Sequence, residues 1–269
     1  MSWHDRSISR RGLFRILTGA ALAESVVSCA PEKPELVVQR AIESHGPFDE
    51  AEKDLWTNFK NSWEETKKLP GGLETTASRN LTALTAILPP PGSHNEIFNN
   101  LGLFLRNARV PLVPVPDSSL RQGNKQFITS TFATVSRDGR FVLGINLGIQ
   151  AVNTLSPDIL AIELAGQAED TRLVKNVEQQ NPSGSAVEIY NRVTNGYPNT
   201  RENRIMATSL INAQIARAAL KHAALTGESA ESILKRLTDR QREAVVQFAI
   251  STQDTNSKSW KEYIQKVTN

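Results

Sequence analysis

Cysteine is nearly absent from this chain of 269 residues, which has one, Cys29. A disulfide within the chain and a cysteine-built zinc site are therefore excluded. Histidine is scarce too, at four residues, and aromatic side chains make up 6%. No Walker loop, no G-x-S-x-G elbow and no dinucleotide fingerprint occurs, which removes the sequence grounds for those enzyme classes. There is no internal repeat and no low-complexity tract. Hydrophobic residues at 39%, charged residues at 22% and a mean hydropathy of −0.34 fit a globular chain, not a multi-span membrane protein or a disordered one. A formal charge of +3 and a pI near 9.0 would suit a nucleic-acid or anionic-surface partner.

The N-terminal segment explains that charge. Ser9-Arg10-Arg11-Gly12-Leu13-Phe14 precedes a short apolar run, Ile16 to Ala23. A basic segment ahead of an apolar run too short to span a bilayer reads as an export signal. The pair Arg10-Arg11 with Leu13-Phe14 resembles a twin-arginine signal. Val26-Val27-Ser28-Cys29 resembles a bacterial lipobox, in which Cys29 becomes the acylated residue. More than one acyl chain there would give stable membrane anchoring. A rival site, Ala21-Leu22-Ala23 before Glu24, would release a soluble exported protein instead. The expected organisation is an export signal at 1–28, a lipidated Cys29 and tether at 29–48, and one globular domain at 49–269. Four of the 31 basic and two of the 28 acidic side chains leave with residues 1–28, so 27 face 26 in the rest. That balance removes the main support for a nucleic-acid partner.

The body reads as predominantly helical α+β with a small antiparallel sheet. Helical pattern begins near Glu35. Trp56, Phe59 and Trp63 share a helix face, and Pro70-Gly71-Gly72 ends that helix. Leu73, Ala77, Leu81, Leu84 and Leu88 form the next apolar stripe, stopped by three prolines at 89–91. Ser93 to Glu96 is a capping box ahead of Ile97, Leu101, Phe104 and Ala108. Val110 to Pro116 holds three prolines and suits only an edge strand or an extended segment. Phe127–Val135 and Arg140–Asn146 flank Asp138-Gly139 as a β-hairpin. Ser156-Pro157-Asp158 opens a helix reaching about Val177. Pro198-Asn199-Thr200 opens a longer one, with Ile211, Ile215 and Ala219 on one face and a stop near Gly227. Thr238 to Gln241 is another capping box, and Trp260, Tyr263 and Ile264 sit on a last helix.

The segment Leu160-Ala161-Ile162-Glu163-Leu164-Ala165-Gly166-Gln167-Ala168-Glu169-Asp170 resembles the active-site helix of zincin metallopeptidases, as does the strand-then-helix order around it. That resemblance implies a helix behind an edge strand, two zinc-binding His four residues apart, and a Glu as general base. The His are missing in both registers. With Glu163 as base, the ligand positions are Ile162 and Gly166. In the other register they are Glu163 and Gln167. A gluzincin-like protein would place its third ligand at Glu202. The degenerate site candidates are thus Glu163, Gln167 and Glu202, with no catalytic residue, no metal and no cofactor expected.

Plainer roles compete for the same residues. Glu202 completes an N-cap arrangement with Asn199, and Glu163 with Gln167 forms an i, i+4 pair. Glu169, Asp170 and Arg172 suit a solvated face. His222 lies near a helix C-terminus, where a cation suits the dipole. His45 and His94 likewise sit at helix ends. The function expected is an exported, lipid-anchored, non-catalytic peptidase-like domain that binds a peptide or envelope component, with the membrane as partner through Cys29. The alternatives are a helical envelope scaffold without peptidase ancestry, and a hydrolase using Glu163, Glu169 and Glu202 around a hard cation.

Overall fold

The computed structural model describes residues 33–44, 50–87, 110–122, 125–179, 184–196 and 201–253. Arg10, Arg11 and Cys29 lie outside the described residues, as do the capping box at 93–96 and the C-terminal helix expected around Trp260. Helices dominate what is described: α1 Pro34–Glu43, α2 Glu50–Lys68, α3 Leu73–Ile87, α4 Ile149–Thr154, α5 Pro157–Gln179, α6 Ala186–Gly196, α7 Arg201–Thr226, α8 Ala230–Arg236 and α9 Asp239–Gln253. Among the described residues, no helix is long and apolar enough to cross a membrane.

The sheet corrects one expectation. It is mixed, not antiparallel throughout, because β1 Leu112–Val115 runs parallel to β5 Phe141–Gly148. β4 Thr129–Val135 pairs antiparallel with β5 on its other side, giving the order β1-β5-β4. A short ribbon of β2 Arg121–Gln122 and β3 Lys125–Gln126 stands apart. The prolines at 111, 114 and 116 leave β1 at an edge, as Pro without an N–H must be. The hairpin turns at Asp138-Gly139, where Gly139 takes a φ of +76° that an L side chain rarely adopts.

A second correction concerns the start of the domain. Residues 34–43 are not tether: Val37, Val38, Ala41 and Ile42 are buried, and the compact unit begins at Pro34. Their i, i+1, i+4, i+5 spacing makes one apolar face. The Gln39 side chain accepts the Ala230 N–H at 3.0 Å, serving the start of α8. In α3, Ala77, Leu81 and Leu84 are buried as the stripe requires, whereas Leu73, in the first turn, faces solvent.

The central element is α5. Leu160, Leu164 and Ala168 pack with Trp63, α3 and the β5 residues Ile145 and Leu147. Ile159, Ile162 and Ala165 pack on the other side with α1, α7, α8 and α9. A helix covered on two faces leaves little room for polar groups, and each one it carries must find a partner inside.

Candidate functional site

Polar residues nevertheless run along α5. Glu163 is 2% exposed and Gln167 is 6% exposed, and both lie toward β4. The Thr129 hydroxyl donates to Glu163 Oε1 at 3.1 Å, and the Thr131 hydroxyl donates to Gln167 Oε1 at 2.9 Å. Two strand residues advance about 6.6 Å and four helix residues about 6 Å, so an i, i+2 pair of threonines meets an i, i+4 pair on the helix. From α9, Arg240 Nη1 donates to Glu163 Oε1 at 3.2 Å, and Gln241 Nε2 donates to Glu163 Oε2 at 3.1 Å. A carboxylate offers about four acceptor positions. Three of those on Glu163 are filled by the protein.

One turn further, Asp170 is half-buried. Burial holds its carboxyl above the usual carboxylate range, against the Thr131 hydrogen bond and the Arg240 charge, while Glu169 adds to the rise. Glu169 is buried, not solvated as expected, and Arg172 grips both its oxygens at 2.9 and 2.6 Å.

The two zincin registers fare differently. In the first, Ile162 is fully buried and Gly166 faces α7, where a Cβ at residue 166 would meet Ile215 Cγ1 at 2.6 Å. Neither position opens onto a cleft. In the second, Glu163 and Gln167 are brought together, but on the two threonines. Glu202 lies in the first turn of α7, and its side chain is outside the described residues. The backbone still decides its relation to Glu163. Contacts of Asp158 with His222, and of Gly166 with Ile215, make α5 and α7 antiparallel. The thirteen residues from Ile215 back to Glu202 span about 20 Å of helix, in the direction away from Glu163. Glu163, Glu169 and Glu202 therefore do not form one cation site, and the zincin-like arrangement is not confirmed.

A second buried polar group joins the start of α5 to α7 and α8. Asp158 is ion-paired with Arg236, and its Oδ2 lies 3.0 Å from His222 Nε2. Arg236 also reaches Glu228 at 2.8 Å. His222 is not the cation expected from its place near a helix end. It is fully buried and its pKa is lowered to about 4. Burial is the main cause and Lys60 adds to it, against the pull of Glu228. Among the described residues, no group of three or more His, Cys, Asp or Glu is arranged to hold a metal ion.

Sequence reasoning missed Thr129, Thr131, Arg240 and Gln241 as partners of α5. The matched polar spacings of β4 and α5 were the available signal for the threonines. No family model matches this chain, and neither a curated protein nor a solved structure matches it.

Proposed function

We propose that this chain is an exported, lipid-anchored protein whose domain works by binding, not hydrolysis, with a peptide or another cell-envelope component as its ligand. The observation that carries the non-catalytic part is the state of Glu163. A general base or metal ligand needs a lone pair directed at substrate or ion. Glu163 spends three of its roughly four acceptor positions on Thr129, Arg240 and Gln241, and so ties α5 to β4 and α9. The signal-like sequence and the lipobox-like Val26 to Cys29 support export and anchoring.

Fractionation of cells expressing the full chain or its Cys29→Ser variant tests the address. The full chain is expected with membranes and labelled by palmitate. Cys29→Ser is expected in the soluble exported fraction, without label. An unchanged distribution of the variant would favour release after Ala23. Incubation of the purified protein with an unfolded casein substrate tests the second part: the substrate is expected to stay uncut by mass spectrometry, and cleavage abolished by Glu163→Gln would overturn the non-catalytic reading.

A further inference from the structure

The early start of the compact unit limits how far the domain can stand from an anchor. Four residues, Ala30 to Lys33, separate Cys29 from Pro34, where α1 and the compact unit begin. Five Cα–Cα steps reach about 17 Å at full extension. A tether running to residue 48 would have given about 70 Å and let the domain turn freely. With Cys29 acylated, α1 instead begins within about 17 Å of the bilayer surface.

The two sides of α1 differ in kind. Val37, Val38, Ala41 and Ile42 are buried in the cluster that includes α7, α8 and α9. Leu36 and Arg40 stand on the other side, and Lys33 precedes Leu36 by three positions; all three are exposed. Leu36 is 54% exposed. A single exposed Leu is ordinary on a protein surface. Leu36 differs by its place, seven positions after Cys29 and between two cations. An apolar side chain flanked by Lys and Arg is the pattern of a helix lying in a membrane interface. Glu35 and Glu43 balance Lys33 and Arg40, so this segment has no excess negative charge to repel anionic lipid.

We propose that the outer face of α1 rests on the lipid bilayer that holds Cys29, with Leu36 seated at headgroup level and Lys33 and Arg40 against lipid phosphates. The inference rests on the anchoring proposed above. One Leu and two cations would not hold a free protein on a membrane. A leash of four residues makes the contact intramolecular, at an effective concentration of about a millimolar or more, so a weak contact is enough.

The contact fixes which side of the domain faces the lipid. The α1 side is taken by the bilayer, and the domain meets its ligand on the surfaces that remain.

Fluorescence quenching by lipid tests it. Cys29 is the chain's one cysteine and is acylated in the anchored protein, so an added thiol takes a dye selectively. The lipidated full chain carrying Leu36→Cys is labelled in vesicles of phosphatidylethanolamine and phosphatidylglycerol that contain a nitroxide-headgroup lipid. Arg137→Cys, exposed in the hairpin turn and outside the helices that α1 packs against, is the comparison. Quenching is expected to be about threefold stronger at position 36 than at 137. Inserting about twenty Gly/Ser residues between Lys33 and Pro34 is expected to bring it down to the level at 137. Palmitate incorporation is measured on the same samples. Equal quenching at the two positions in palmitate-labelled protein overturns this inference and leaves the anchoring standing. Quenching at position 36 that the insertion leaves unchanged overturns it as well. Protein without palmitate overturns the anchoring, and this inference with it.

Discussion

Arg240 reaches from α9 to Glu163 on α5, its Nη1 donating to Oε1 at 3.2 Å, and leaves one partner 37% exposed and the other 3% exposed. That asymmetry governs what each substitution does. Arg240→Ala strands a carboxylate in the interior, where an uncompensated buried charge costs about 3 kcal/mol or more. Glu163→Gln frees a guanidinium that can turn to water, and should cost about 1 kcal/mol. Urea unfolding of both single variants and the double variant is expected to show this order. The pair should be coupled by about 1 kcal/mol or more. Equal losses for the two variants would contradict the buried-carboxylate argument.

His222 predicts a pH dependence of stability. Its pKa is about 4 in the folded protein against an ordinary 6.5. Between those values the unfolded chain binds more protons than the folded one, so stability rises with pH across that window and is lost on acidification. One such group contributes up to about 1.4 kcal/mol per pH unit. His222→Gln should flatten the curve between pH 4 and 6.5 in chemical denaturation.

Asp170 acts in the opposite sense. Burial raises its pKa above the ordinary 3.8, so the folded protein holds this proton more tightly than the unfolded chain does. Its contribution is complete below 3.8 and is lost as pH rises through the raised value. Asp170→Asn is expected to be more stable than the parent at neutral pH, with the difference shrinking as pH falls through the raised value and gone below 3.8. Paired thermal melts of the two proteins at neutral and acid pH measure it.

Much of the fold was legible because its local signals agree with its packing. The hairpin follows from two β-rich runs around Asp138-Gly139, and α5 from Ser156-Pro157-Asp158, where cap, fixed φ and apolar pattern coincide. The parallel pairing of β1 was not legible, since a strand's direction depends on what lies between it and its neighbour and not on its own residues. The short helices α4, α6 and α8 were missed, and so was the burial of α1 beyond a proline-bearing segment. The candidate site was legible as residues and not as roles. Glu163 and Gln167 stood out in an apolar run, but their meaning rests on Arg240 and Gln241, over seventy positions away. His222 shows the same limit, because a place near a helix end says nothing of the neighbours that enclose it.

On the proposed function, Glu163 serves the fold and not a metal or a reaction. Thermal unfolding during a zinc titration tests it most directly, in the parent protein and in Glu163→Gln. A ligand that binds the folded state raises the melting temperature saturably. The predicted result is the same small response in both proteins. A saturable rise in the parent that disappears in Glu163→Gln would contradict it.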